Sequence, residues 1–174
     1  MRWLAVVFSV FLAGCSDMKI EQFAGKQPQF LLEDYFVGKT TAWGVFVDRF
    51  GNLRRQFTVD IDGQWDGQEL TLVEDFVYAD GETDQRIWRI RKTGDNTYEG
   101  TAGDVIGVAR GEIAGNALNW SYDMNLKVGD GTWKVRFNDW MWLQPDDVVF
   151  NRATVSRFGI RIGEVSIFFK REPA

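Results

Sequence analysis

Apolar and polar residues alternate through much of this chain with a period of two, and this pattern constrains the fold more than any other feature of the sequence. In the clearest run, polar residues separate an apolar series formed by Trp120, Tyr122, Met124, Leu126 and Val128. A helix would scatter these side chains around its surface, whereas a strand sends alternate side chains to opposite faces. The run therefore predicts an antiparallel strand with one face in water.

Turn signals rich in Gly, Asn and Asp punctuate the chain at intervals of about 13 to 20 residues. They are Gly51-Asn52, Asp66-Gly67, Asp80-Gly81, Gly94-Asp95-Asn96, Gly115-Asn116, Asp130-Gly131, Pro145-Asp146-Asp147 and Gly159. We expect about eight to ten strands in up-and-down order, and closure into a barrel, because closure removes exposed sheet edges. The fold class predicted is all-β, an antiparallel calycin-like β-barrel.

A barrel with this number of strands is either filled by side chains or holds one small apolar ligand, and the sequence leaves both possibilities open. The candidates for lining a pocket are Trp43, Trp120, Tyr122, Met124, Trp133 and Phe137. Residues 30–36 are predicted to form a short helical turn that plugs one end. Arg152, on a late strand, is predicted to cover Trp43 and so close the barrel.

The first fifteen residues have the features of a bacterial export signal. Arg2 precedes a short apolar run, which ends in Leu12-Ala13-Gly14-Cys15. The run is too short to span a bilayer, and its end matches the lipobox at which bacterial lipoproteins are cut and lipidated. We therefore expect Cys15 to carry acyl chains, and Ser16 favours sorting to the periplasmic face of the outer membrane.

The predicted organisation is a lipoprotein signal peptide at 1–14, the lipidated cysteine with a polar tether at 15–29, and one barrel domain at 30–174. The expected partners are the membrane, through the acyl chains, and a hydrophobic small molecule or lipid. The net charge of −5 gives no reason to expect binding to nucleic acid.

Few residues suited to catalysis are available. The chain has no histidine, and its one cysteine is assigned to the lipid. We therefore expect no enzyme, no metal and no cofactor. Among the carboxylates, Glu74 shares a strand face with Leu72 and Phe76, which places it inside the barrel. A buried carboxylate needs a partner, and an arginine can supply one, so a structural ion pair is preferred over a ligand contact.

Two groups of charged residues indicate what the outer surface of the barrel contacts. Asp48-Arg49 and Arg54-Arg55 flank the first hairpin turn, where exposed cations serve solubility or contact lipid phosphates. The charged residues of segment 86–92 argue against a barrel that spans a membrane, because the outer surface of such a barrel is apolar.

Several segments resemble an uncharacterised family of proteobacterial lipoproteins that is known as domain of unknown function 3833. The segments include Trp43-Gly44, Asp48-Arg49-Phe50-Gly51, residues 104–111, Asp130-Gly131-Thr132-Trp133, Asp139-Trp140-Met141, Asn151-Arg152-Ala153, Phe158-Gly159 and Gly163-Glu164-Val165. The resemblance implies a calycin-like barrel and a lipid anchor. It implies no activity and no catalytic residue.

Three functions remain open from the sequence. The first is a barrel that binds a fatty acyl chain or lipid at the envelope. The second is a filled barrel that serves protein interaction or envelope assembly, with Trp140 and Trp142 as candidates for an exposed aromatic patch. The third is hydrolase or isomerase chemistry on a lipid, which would need a carboxylate base such as Glu74 or Asp139 with its pKa raised by burial.

Overall fold

The computed structural model describes residues 18–172, so the predicted signal peptide and Cys15 lie outside the described residues. Ten antiparallel strands form one closed barrel, in which each strand pairs with its neighbours in sequence and the first strand pairs with the last. The strands are β1 (Gly38–Asp48), β2 (Leu53–Trp65), β3 (Glu69–Tyr78), β4 (Thr83–Lys92), β5 (Thr97–Thr101), β6 (Val105–Ala114), β7 (Ala117–Val128), β8 (Gly131–Gln144), β9 (Val148–Arg157) and β10 (Ile160–Arg171). The predicted all-β, up-and-down barrel is confirmed.

The strand predicted from Trp120 to Val128 forms as the alternation requires. Strands β7 and β8 pair from Ala117 opposite Trp142 to Val128 opposite Gly131. The glycine-bearing segment that precedes β7 contains a bulge, because the register between β6 and β7 shifts after Ile106, and Gly107 adopts a φ of 75°. Glycine reaches this left-handed conformation without a steric cost, and the bulge bends the strand where the barrel turns.

A short helix closes one end of the barrel, as predicted for residues 30–36. Helix α1 (Leu32–Tyr35) buries Leu32 and Tyr35, and the flanking Phe30 and Phe36 are also buried. The Tyr35 hydroxyl donates to the Asp147 carbonyl at 3.1 Å, and Glu33 accepts from Tyr98 at 2.6 Å. The closed end therefore has a packed floor.

Part of the segment predicted as a tether lies against the barrel near its closed end. One turn of 3-10 helix at Ile20–Phe23 contacts β6 and β7, and Ile20 is buried. The Phe30 amide donates to the Gly115 carbonyl at 2.9 Å. Within residues 18–172, no helix has both the length and the apolar character needed to cross a membrane.

The prediction that Arg152 closes the barrel over Trp43 is wrong. Closure is made by backbone pairing of β1 with β10, in which Trp43 lies opposite Phe168. Arg152 is on β9, which does not adjoin β1, and its side chain points outward, 3.9 Å from Glu164. Backbone hydrogen bonds along the whole edge leave no gap for a single side chain to cover.

Candidate functional site

The interior of the barrel holds a cavity of about 1160 Å³, so the barrel is not filled by its own side chains. The cavity extends from a floor at Leu32 and Phe36 to a rim at Arg54 and Asp130, at the end opposite α1. A volume of this size exceeds what most small-molecule sites need, about 300–1,000 Å³. The rim at this end is the route by which a molecule can enter.

Five of the six predicted lining residues lie where the sequence places them, on the cavity wall: Trp120, Tyr122, Met124, Trp133 and Phe137. Tyr122 stacks on Phe137 with ring centroids 5.2 Å apart, and Trp88 meets Tyr122 edge-on at 5.3 Å. Aromatic pairs in these geometries hold one another in place, so this part of the wall is rigid as well as apolar.

Trp43, the sixth predicted lining residue, is on the outer face, so that prediction is wrong. Its side chain is 49% exposed. Its neighbour Gly44 faces inward instead, and the ring of Phe57 covers it so closely that a Cβ atom there would overlap the ring. The inward face of β1 must therefore be small, and the large side chain lies outside.

A charged cluster lies on the inner face of the barrel at β3 and β4. Glu74 lies opposite Arg86 in the strand register, with Glu74 Oε2 4.0 Å from Arg86 Nη1. Arg86 also donates three hydrogen bonds, of 2.7–3.1 Å, to the carboxylate of Asp104 in the loop between β5 and β6. The predicted arginine partner of Glu74 is thus present, and the same guanidinium ties a loop to the wall. Two carboxylates share one cation here.

A third carboxylate, Asp139, lies on β8. Asp139 and Asn151 are buried, and the Asn151 amide donates to Asp139 Oδ1 at 3.1 Å. Asp139 Oδ2 and Asn151 Oδ1 have no hydrogen-bond partner among residues 18–172. Both side chains line the cavity, so these two acceptors without a partner are buried in its wall.

Burial raises the pKa of two of these carboxyl groups into the neutral range. The pKa of Glu74 rises from 4.5 to about 7 because burial disfavours its charged form, and Asp104 and Asp139 add to the rise while Arg86 opposes it. The pKa of Asp139 rises from 3.8 to about 7, again chiefly through burial, against the hydrogen bond from Asn151. The 14% exposure of the Glu74 side chain is exposure to the cavity. Near pH 7 both groups can take up or release a proton.

The sequence pattern did not identify Arg86, Asn151 and Asp104 as residues of this site. Arg86 lies on the same strand face as the inward-facing Trp88 and Ile90. Asn151 lies on the same face of β9 as buried valines and an alanine. Extending the period-two pattern to β4 and β9 would have placed both inside. Asp104 lies between strands, and no local pattern marks it as a partner of Arg86. Within residues 18–172, no group of three or more acidic side chains is arranged to hold a metal ion.

Aromatic residues also form a row on the outer wall across four adjacent strands. The predicted Trp140 and Trp142 do face outward, but Phe23 packs on them at 5.9 and 6.4 Å and leaves them only partly exposed. The row continues through Phe150 and Phe168 to Trp43. An exposed aromatic patch therefore exists, but its most exposed residues are Phe168 on β10 and Trp43 on β1, at one end of the row.

The barrel resembles a solved structure titled an S-type phycobiliprotein lyase, from Guillardia theta. The two are 10% identical in sequence with a TM-score of 0.55, over 83% of this chain and 94% of that chain. At this identity the likeness establishes the shared calycin-like fold. It also contradicts our expectation that the chain is not an enzyme, because a barrel of this form belongs to a protein named as a lyase. No curated protein matches the sequence.

One protein family does match the sequence, over residues 9–171, and it is described as a protein of unknown function, DUF3833. This range includes every strand of the barrel and every residue that lines its cavity. The chain belongs to the DUF3833 family.

Proposed function

We propose that the barrel binds a hydrophobic molecule, a fatty acyl chain or lipid, at the bacterial envelope, where acyl chains on Cys15 hold the protein at the periplasmic face of the outer membrane. The observation that carries the proposal is the large, aromatic-walled cavity that opens at one end. Ligand sites are typically concave and apolar with a few placed polar groups, and this cavity has that character. The membrane anchor is supported by the lipobox-like sequence that ends at Cys15.

The polar groups inside the cavity indicate how such a molecule would be oriented. Its apolar part would contact Trp88, Tyr122 and Phe137, whose rings form a rigid wall. Its polar end would donate hydrogen bonds to Asp139 Oδ2 and Asn151 Oδ1, which otherwise remain unpaired in a buried site at a cost of about 1–3 kcal/mol each. A hydroxyl or a protonated acid group suits these acceptors better than an ionised carboxylate.

Filling the cavity from its wall tests the proposal. Ala153 is buried next to Asp139 in the strand register, so Ala153→Phe places a ring in the cavity, whereas Thr154→Phe places the same ring on the outer face. In native mass spectrometry of the full chain purified from its own envelope, we expect wild type and Thr154→Phe to carry a non-covalent lipid and Ala153→Phe to lack it. The denatured mass of the same samples reports covalent acyl groups on Cys15.

Circular dichroism shows whether Ala153→Phe keeps its sheet content. A wild-type protein without bound lipid, or a folded Ala153→Phe variant that retains the lipid, would contradict the proposed binding. An intact mass without acyl groups would remove the anchor from the proposal and leave the binding function standing.

A second function is favoured by the two carboxyl groups with pKa values near 7. A general acid or base works best when its pKa is close to the ambient pH, and Glu74 and Asp139 both meet this condition inside the cavity. In this alternative the barrel transfers protons to or from a bound lipid, and one carboxylate acts as base while the protonated partner acts as acid.

Replacement of either carboxylate separates catalysis from binding. After incubation of the protein with envelope lipids at pH 7, we expect a product by mass spectrometry with wild type and with Asp75→Asn, an outward-facing neighbour of Glu74. Glu74→Gln and Asp139→Asn should form it at least about a hundredfold more slowly, the usual contribution of a general acid or base. Identical lipid profiles for all four proteins would exclude this alternative.

A further inference from the structure

The open rim of the barrel carries two aromatic side chains that project into solvent. Phe50, in the turn between β1 and β2, is 75% exposed, and Phe158, in the turn between β9 and β10, is 88% exposed. The two turns are neighbours, since the Arg49 amide donates to the Ile162 carbonyl at 2.9 Å. Leu53 and Ile160 add exposed apolar surface beside them, at 53% and 58%. Together these four residues form an apolar patch, the rim patch.

The backbone at Phe158 is held in a conformation that large side chains avoid. Its φ is 53°, in the left-handed region, and Gly159 follows at 77°. Asparagine, aspartate or glycine usually fills the first of two such positions in a hairpin turn. A phenylalanine there costs backbone strain and leaves its ring in water, with no compensating contact in the barrel core. A docking role on another surface would account for both costs.

Each aromatic side chain of the rim has an arginine beside it. The guanidinium of Arg49 lies 4.7 Å from the ring centre of Phe50. That of Arg157 lies 4.3 Å from the ring centre of Trp133 and 4.8 Å from that of Phe158. A ring that enters the boundary between acyl chains and headgroups would carry its arginine to the level of the phosphates.

The rim carries both paired and unpaired charges. At the turn between β3 and β4, which adjoins the turn between β1 and β2 because β2 pairs with β3, Arg55 pairs with Asp80 and Glu82 at 3.6 and 2.8 Å. The rim patch lies beside Arg49 and Arg157, neither of which forms an ion pair within residues 18–172. Within residues 18–172, the two arginines without an ion pair therefore lie beside the exposed apolar side chains of the rim patch, although the net charge of the chain is −5.

We propose that the rim patch docks on an anionic lipid surface, with Phe50 and Phe158 inserted among the lipids and Arg49 and Arg157 against the phosphates. This inference goes beyond ligand binding, because docking depends only on the outside of the rim. It also places the opening of the cavity against the lipid surface.

A fluorescent label distinguishes contact of the rim with lipid from contact of the outer wall with lipid. In the full chain with Cys15→Ser, an environment-sensitive fluorophore is attached at Phe158→Cys, or as a control at Phe168→Cys in the outer aromatic row. Phe168 is also an exposed aromatic residue, at 53%, but lies on the wall. The proteins are mixed with vesicles of phosphatidylcholine alone or with phosphatidylglycerol added.

We expect the label at position 158 to shift to the blue with vesicles that contain phosphatidylglycerol, and the label at 168 to remain unchanged. Arg49→Gln should weaken the response at position 158 about fivefold, since one cation near an anionic surface contributes about 1 kcal/mol. No shift at position 158, or an equal shift at both positions, would overturn the docking proposal. Neither result alters the mass-spectrometric test of the cavity.

Discussion

Replacing Arg86 with methionine should lower the free energy of unfolding by about 3–5 kcal/mol, the usual cost of removing one partner from a buried ion pair. Methionine keeps much of the length of the side chain but leaves Glu74 and Asp104 facing each other without the shared cation. The loop that carries Asp104 also loses three hydrogen bonds. Urea unfolding at pH 8, where protonation of Glu74 relieves least of the repulsion, measures the loss.

Arg89→Met is the matched control for this effect. Arg89 is on the same strand but faces outward, and its pair with Glu69, at 3.1 Å, is exposed. Exposed pairs contribute about 1 kcal/mol or less, so this variant should unfold close to wild type. If the two variants lost equal stability, Arg86 would not be the residue that neutralises the interior.

Raising the pH from 5 to 8 should destabilise the wild-type barrel by about 2–3 kcal/mol through Glu74 alone. The folded-state pKa of Glu74 is about 7, above its ordinary value of 4.5. The stabilising contribution of the neutral group is therefore complete below pH 4.5 and is lost as the pH rises through 7. Asp139 acts in the same direction, from 3.8 to about 7. Carboxylates with a lowered pKa, such as Glu69 and Asp123, act oppositely but below pH 5.

Glu74→Gln and Asp139→Asn each replace a titrating carboxyl group with a neutral amide. Each variant should therefore be more stable than wild type at pH 8, and its free energy of unfolding should decline less as the pH rises. Chemical unfolding at several pH values between 5 and 8 measures the decline. Asp75→Asn, an exposed neighbour, should follow the wild-type curve. A wild-type stability that stayed constant or rose from pH 5 to pH 8 would show that these carboxyl groups are not neutral in the folded protein.

The sequence predicts the barrel well because its longest strands alternate cleanly. On β7 one face is apolar and the other polar, and β8 alternates in the same way from Trp133 to Phe137, so Tyr122, Met124 and Phe137 could be assigned to the interior. The same reasoning placed Glu74 inside, between Leu72 and Phe76. A period of two reveals the faces of a strand without any knowledge of its neighbours.

Alternation fails where both faces of a strand are apolar. On β1 the face with Trp43 competes with the face of Ala42, Gly44 and Phe46, and the ring of Phe57 decides between them by requiring a small residue beneath it. That contact comes from another strand, so it is invisible in the local pattern. The volume of the cavity and the pairing of Arg86 with Asp104 likewise depend on the closed barrel.

The position of the N-terminal segment gives the molecule a direction. Residues 20–23 lie along the wall near the closed end, and only two residues lie between Cys15 and Met18, so the chain between them reaches at most about 10 Å. A chain anchored at Cys15 would therefore stand with its floor toward the anchoring membrane and its rim about 30 Å away, the height of such a barrel. The rim then faces away from that membrane. In that arrangement the lipid surface proposed to contact the rim patch would be a different one from the membrane that holds the anchor.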